Sequence, residues 1–115
     1  DVVAYLVALL ADCCRHLGLP CSVIRSSELG LDPALRGGAR IRAAMRAVGA
    51  DEYVNAPGGR DLYSGCEFAR EGFRLRFLQP HEGAKHSILY RLLTELSEDI
   101  AAEVRAQTVL EAPDD

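Results

Sequence analysis

A small set of serines, glycines, one arginine and one asparagine is best suited to chemistry in this chain. They follow predicted strands or begin a predicted helix. A helix N-terminus and an arginine both attract anions, and glycines let an anion come close to the backbone. Serine and asparagine side chains would orient such a ligand. We therefore predict a substrate site for a phosphate or carboxylate, formed by Ser26, Ser27, Gly37, Gly38, Arg40, Asn55, Gly58 and Gly59.

The glycine spacing matches neither common nucleotide-binding motif. It lacks the G-x-x-x-x-G-K-[ST] of a P-loop and the G-x-G-x-x-G of a dinucleotide site. Residue order does not establish a catalytic triad, and Glu28 and His81 are equally unsupported as a general base, so the catalytic residues and any cofactor stay unassigned. Each site residue also has an ordinary structural explanation, as a turn glycine, a loop serine or a surface arginine.

No metal site is expected. The four cysteines, Cys13, Cys14, Cys21 and Cys66, contain no C-x-x-C pair. Zinc needs ligands that converge at turn-like spacing, and an isolated pair of loop histidines does not provide them. The simplest prediction is that all four cysteines are reduced and pack as small hydrophobic residues.

Hydrophobic periodicity predicts an order of α-β-α-β-α-β-α-α. The predicted strands are Cys21–Arg25, Tyr53–Asn55 and Phe73–Leu78, and the alternating arginines of the third strand suggest a sheet edge. Each connection is long enough for a helix, which implies right-handed crossovers. The expected fold is therefore α/β, a small three-layer Rossmann-like domain with a mainly parallel three-stranded sheet. Its ligand would lie where the strands end, beside the loop within Tyr53–Tyr63.

Size and charge narrow the class of protein. A chain of 115 residues favours one domain, predicted to span residues 1–110, followed by a frayed acidic tail at 111–115. A net charge of −4 argues against nucleic acid as the main partner. The apolar run near the start is too short for a membrane span, which predicts a cytoplasmic protein with no membrane partner. A start at Asp1 suggests a chain cut from something longer.

Several motifs occur in an order that resembles the C-terminal half of the WbqC-like protein family. They are LGLPCSVIRSSELGL, RGGARIRAAMRAVGADEYVNAPGGRDLY, EFAREGFRLRFLQP and HSILYRLL, at residues 17–31, 36–63, 67–80 and 86–93. The positions that match the family pattern are Ser26, Ser27, Glu28, Gly37, Arg40, Tyr53, Gly59, Leu62 and Ser87.

The resemblance implies a bacterial protein associated with O-antigen and other surface-polysaccharide gene clusters. This chain departs from the family by lacking its Q-P-x-Y-x-P-W-type start. Gly38 and Ala39 replace a hydroxyl residue and an acid, and the loop from Phe77 to Ser87 is short and lacks the expected aromatic residues. The chain is therefore expected to be either a fragment or a degenerate copy.

Two hypotheses remain open at this point. The first is an enzyme domain, a transferase fragment of polysaccharide, nucleotide-sugar or acyl-transfer metabolism, that binds a small anionic substrate. The second is a non-catalytic interaction module that pairs with a missing N-terminal half or forms a homodimer, through the strand edge at 73–78 or an exposed apolar surface.

Overall fold

The computed structural model describes all 115 residues, which divide into two compact units. Unit 1 consists of Asp1–Ile24 and His81–Gln107, and unit 2 consists of Arg25–Pro80 and Thr108–Asp115. The model confirms a mixed α/β chain with a three-stranded sheet. None of its helices is both long and apolar enough to cross a lipid bilayer.

Unit 1 contains three helices: α1 (Val2–His16), α4 (Ile88–Thr94) and α5 (Ser97–Gln107). The side chain of Asp1 caps α1 by accepting a hydrogen bond from the backbone N–H of Val3 at 3.0 Å. The helix ends where Gly18 adopts a left-handed φ of 62°. These are the signals that locate both ends of α1 in the sequence.

The core of unit 1 is small. Leu17, Ile100 and Ala101 are buried, and four half-buried hydrophobic residues pack on them: Leu19, Ile88, Leu92 and Val104. Leu93, near the end of α4, and Leu96, just after it, are 87% and 63% exposed. They leave an apolar surface on unit 1.

Unit 2 contains α2 (Gly37–Val48), β1 (Glu52–Asn55), α3 (Gly65–Arg70), β2 (Arg74–Leu78) and β3 (Leu110–Glu111). The sheet order is β1-β2-β3. The β1–β2 pair is parallel, with Tyr53 opposite Leu75, whereas β2–β3 is antiparallel, with Phe77 opposite Glu111.

One hydrophobic cluster holds unit 2 together. Met45 from α2 and Phe68 from α3 pack with Leu75 and Phe77 from β2, and all four are nearly inaccessible to solvent. Gly49 ends α2 with a left-handed φ of 69°, and the turn Gly49-Ala50-Asp51 connects this helix to β1.

Three parts of the predicted topology need correction. Cys21–Arg25 is not a strand, and a two-residue strand at the other end of the chain completes the sheet instead. The sheet is not mainly parallel, and the Rossmann-like order is not confirmed, since β2 has one parallel and one antiparallel neighbour. β2 is also the central strand rather than an edge.

The two arginines on β2 do not indicate an edge strand of the sheet. Acidic residues just before and at the start of β1 balance their charge. Arg74 lies 3.3 Å from the carboxylate of Asp51, and both Arg74 and Arg76 lie within ion-pair distance of Glu52. Alternating charge on a strand can therefore reflect cross-strand ion pairing as well as exposure to solvent.

Candidate functional site

The start of α2 leaves three backbone donors without an acceptor. Arg36 is extended and provides no side-chain cap, and Gly37 then enters the helix with a φ of 49°. The first backbone hydrogen bond of the helix runs from the N–H of Arg40 to the carbonyl of Arg36, at 3.2 Å. The N–H groups of Gly37, Gly38 and Ala39 have no partner, so this terminus presents donors and the positive end of the helix dipole.

Arg40 lies in the first turn of the same helix and differs from the other arginines of α2. Arg36 folds back on the carbonyls of Pro33 and Leu35, while Arg42 and Arg46 bind carboxylates of α3 and its end. Arg40 is half-buried, and its side chain makes no hydrogen bond or ion pair. Its guanidinium therefore has no carboxylate or carbonyl partner, in the same helical turn that follows the unsatisfied N–H groups.

Aromatic residues lie beside this helix start. A Cβ on Gly38 would come 3.6 Å from the ring of Tyr63, so a side chain here would narrow the space between helix and ring. Tyr63 in turn packs edge-to-face against Tyr53, with ring centroids 5.7 Å apart. Burial, followed by the neighbouring Tyr63, raises the pKa of Tyr53, which keeps this phenol neutral.

An ion-pair network also lies close to Gly38. Arg42 binds Glu67 at 3.1 Å and Glu71 at 2.6 Å, and Arg46 also binds Glu71. Hydrogen bonds from Arg46 and then Arg42 lower the pKa of Glu71. These contacts join α2 to α3 and its C-terminal end.

Asn55, Gly58 and Gly59 lie at the end of β1 and in the 3-10 turn Pro57–Leu62. The side-chain oxygen of Asn55 accepts a hydrogen bond from the N–H of Ala56 at 2.8 Å. A Cβ on Gly59 would overlap the side-chain amide of Asn55, so glycine permits this close approach. Gly58 is exposed and has open space around it. The side-chain amide of Asn55 therefore packs directly against the backbone of Gly59.

Ser26 and Ser27 lie in a short exposed 3-10 turn, Ser26–Glu28, rather than after a strand. Their hydroxyl groups make no hydrogen bond within the protein. The model brings Gly37, Gly38 and Arg40 together and joins Asn55 to Gly59, but shows no contact between the serines and either group. The assignment of all eight residues to one ligand site stays a prediction.

Comparison with known proteins gives one match. The model of the WbqC-like protein family covers residues 1–91, which includes every residue of the predicted site. The chain belongs to the WbqC-like protein family. Searches of the curated proteins and of the solved structures found no match.

The acidic end of this WbqC-like chain makes several side-chain contacts with unit 2. Arg60 donates to the carboxylates of Glu111 and Asp114, while its guanidinium lies 4.9 Å from the ring centre of Phe77. Asp115 accepts from the backbone N–H of Gly65 at 2.7 Å, and a hydrogen bond from Ser64, followed by that of Gly65, lowers the pKa of Asp115. These contacts could not be predicted from the sequence, because about fifty residues separate the partners. The sequence features that pointed to them were the acidic run at the end of the chain and the Ser64 helix cap.

A charged cluster around one buried arginine of unit 1 was also missed. Arg91 is 5% exposed and binds the carboxylates of Glu95 and Glu103, both at 2.8 Å. The Nε2 atom of His81 lies 3.1 Å from the Glu103 carboxylate, which places this histidine in a charge network of unit 1. The i, i+4 spacing of Arg91 and Glu95 was the sequence signal, since it favours pairing on one helix face.

Only part of the cysteine prediction holds. Cys13 is buried and Cys14 is half-buried, but Cys21 and Cys66 are exposed, so they do not pack as core residues. All four are free thiols. No group of three or more histidine, cysteine or acidic side chains is arranged to hold a metal ion.

Proposed function

We propose that this WbqC-like domain binds a small anionic substrate at the start of α2. The substrate class is a nucleotide-sugar or an activated acyl group, whose phosphate or carboxylate would face Arg40. The domain would serve a cytoplasmic bacterial enzyme of surface-polysaccharide (O-antigen) metabolism, with group transfer as its reaction class. The single observation that carries the proposal is a half-buried arginine with an unpaired side chain, Arg40, in the first turn of a helix whose first three N–H groups are unsatisfied.

The physical basis is electrostatic. A charged guanidinium and the N–H groups of a helix start both favour negative charge, and together they would form charge-assisted hydrogen bonds to phosphate oxygens. Gly37 and Gly38 have no side chain to separate an anion from the backbone. Tyr63, beside Gly38, offers an aromatic face for the rest of the substrate.

A thermal-shift screen with nucleotides, nucleotide-sugars and acyl phosphates tests the proposal. A ligand that binds the folded state raises Tm as its concentration increases. Arg40→Ala should remove at least one charge-assisted hydrogen bond, worth about 1.5 kcal/mol or more, and so weaken binding about tenfold.

Arg70→Ala is the matched control, because Arg70 is exposed, lies in the same unit and also has no ion-pair partner. It should bind like the wild type. No stabilisation by any anionic ligand, or equal binding by the Arg40→Ala protein, would overturn the proposal.

A second candidate function is an interaction module, favoured by the apolar surface of unit 1. Leu93, Val2 and Tyr5 are 87%, 74% and 67% exposed, values that are high for large apolar side chains. A groove of about 680 Å³ adjoins this surface, with Leu9, Leu89, Leu92, Leu93 and Leu96 among its lining residues. Because unit 1 carries both the groove and protruding apolar side chains, a second copy of the chain is the fitting partner.

Light scattering after size exclusion, over a range of protein concentrations, tests this candidate. The wild type should form a dimer, and Leu93→Asp should be monomeric. Leu62→Asp is the control, since Leu62 is 71% exposed but lies in unit 2. A wild-type monomer at every concentration would reject the module.

A further inference from the structure

The last residues of the chain pack on unit 2 through a short strand and a set of carboxylates. β3 pairs only Leu110 and Glu111 with Leu78 and Phe77 of β2. The residues that follow, 112–115, have no helix or strand structure. We refer to residues 110–115 as the acidic strap, because three of these six residues carry a carboxylate side chain.

Arg60 is the main anchor of the acidic strap. Its guanidinium donates to the carboxylates of Glu111 and Asp114 and, at 3.2 Å, to the backbone carbonyl of Ala112. The Arg60 side chain is 22% exposed, whereas the side chain of Asp114 is 79% exposed. The strap therefore neutralises a largely covered cation and adds carboxylate charge at the surface.

Asp115 attaches the strap next to Tyr63. Its carboxylate accepts hydrogen bonds from the hydroxyl group of Ser64 and from the backbone N–H of Gly65, the latter at 2.7 Å. The bond from Ser64, followed by that from Gly65, lowers the pKa of Asp115, so this carboxylate is charged at neutral pH. A negative charge is thus bound to the residue that follows Tyr63 in the chain.

The strap shares a groove with the start of α2. This polar groove of about 380 Å³ is lined by residues of the strap and of the segment that leads into α3, among them Arg60, Tyr63, Ser64, Glu67, Asp114 and Asp115. A Cβ on Gly38 would lie 3.6 Å from the ring of Tyr63 and 3.9 Å from the carboxylate of Glu67. The carboxylates of the strap therefore line a groove that adjoins the first turn of α2.

We propose that the acidic strap is an autoinhibitory element that weakens the binding of anions at the start of α2. This role depends on the anion site proposed above and concerns its regulation. Like charges repel, so the carboxylates of Asp114 and Asp115 raise the free energy of a phosphate group beside the groove. The strap also neutralises Arg60, a cation that would otherwise attract the same ligand.

Thermodynamic linkage makes this effect reciprocal. If attachment of the strap weakens anion binding, a bound anion must loosen the strap by the same factor. The attachment is suited to such a change, because it consists of two strand residues and partly exposed ionic contacts, which salt screens. None of the strap residues belongs to the hydrophobic cluster of unit 2, so release of the strap leaves that cluster packed.

The test is a titration of the full chain with uridine diphosphate, in the wild type and in the variant Asp114→Asn/Asp115→Asn. The substitutions keep the shape of the side chains and remove two negative charges, so the variant should bind about two- to fivefold more tightly at low ionic strength. The difference between the two proteins should shrink at high salt.

Asp51→Asn/Glu52→Gln is the matched control for this titration. It removes the same charge from unit 2, but beyond the other end of α2, which is about 18 Å long. That separation exceeds the screening length at physiological salt, so the control should bind like the wild type.

Hydrogen–deuterium exchange measures closure of the strap independently. Exchange at the strap amides should be faster in Arg60→Ala than in the wild type without ligand, and saturating uridine diphosphate should also accelerate it in the wild type. Circular dichroism verifies that each variant is folded.

Three results would overturn the autoinhibitory role. Equal affinity of the wild type and the Asp114→Asn/Asp115→Asn protein would overturn it and leave the anion site in place. Strap exchange that neither Arg60→Ala nor bound uridine diphosphate accelerates would do the same. Absence of binding by both proteins would overturn the anion site and, with it, the role of the strap.

Discussion

Arg91 donates from Nη1 and Nη2 to the two carboxylate oxygens of Glu103, at 3.0 Å and 2.8 Å, from an almost completely buried position. The same guanidinium also binds Glu95. In the small core of unit 1, this pair joins α4 to α5 where few apolar contacts are available. A buried arginine that loses one of its two carboxylate partners is less well compensated, because only Glu95 would remain to neutralise Arg91.

We therefore expect Glu103→Ala to lower the Tm of the protein by several degrees. Asp12→Ala is the control, because Asp12 pairs with Arg15 on an exposed helix face and such pairs contribute little. Thermal denaturation followed by circular dichroism measures both. Equal effects of the two substitutions would show that the Arg91–Glu103 pair does not stabilise unit 1.

Glu71 should make stability depend on pH. Arg46 and Arg42 lower its pKa in the folded state below the ordinary glutamate value of 4.5. A lowered folded pKa gives stability that is present above the ordinary value and is lost as pH falls through the folded value. Between about pH 5 and pH 3, the wild type should lose stability more steeply than Glu71→Gln in denaturant titrations. Parallel curves of stability against pH for the two proteins would contradict this role of Glu71.

The contact between Asn55 and Gly59 should be sensitive to one added methyl group. Gly59→Ala would place a Cβ against the Asn55 amide and should cost about 1–3 kcal/mol of unfolding free energy. Gly58→Ala has open space and should change little. Adding Asn55→Ala to Gly59→Ala should recover part of the loss, which a double-mutant cycle measures. A strictly additive cycle would argue against the contact.

Phe68 should be the most costly truncation in unit 2. It is completely buried, stacks on Tyr53 and lies beneath the guanidinium of Arg42, so Phe68→Ala should cost about 3–5 kcal/mol. Leu62→Ala, in the same unit but exposed, should stay within about 0.5 kcal/mol. Urea denaturation measures the unfolding free energy of both variants. A similar loss for Phe68→Ala and Leu62→Ala would show that Phe68 is not a core residue of unit 2.

Helices were predictable from the sequence because their ends carry local signals. Asp1 and Gly18 delimit α1, Gly49 ends α2, and Ser64 caps α3 with its side chain. The β1 and β2 strands were also found at nearly their true limits. Periodicity and capping depend on neighbouring residues alone, which is why these elements need no tertiary information.

The pairing of strands in the sheet was not predictable in the same way. Val23 and Ile24 have strand-like side chains, yet they find no partner strand and are 41% and 57% exposed. Leu110 and Glu111 form a strand too short to give a periodic signal, and they pair with Leu78 and Phe77 more than thirty positions away. Ser26 and Ser27 were assigned to the site through the missing strand, so that part of the site depended on the topology error. Gly37, Gly38 and Arg40 were assigned to the site because a helix was predicted to start there. The structure contains that helix start.

The most direct test of the anion site is a nuclear magnetic resonance titration of the ¹⁵N-labelled protein with uridine diphosphate. The amide resonances of Gly37, Gly38 and Ala39 should shift and saturate together, and Arg40→Ala should weaken the response about tenfold while Arg70→Ala leaves it intact. Shifts confined to residues outside the start of α2, or an unchanged titration in the Arg40→Ala protein, would contradict the proposed site.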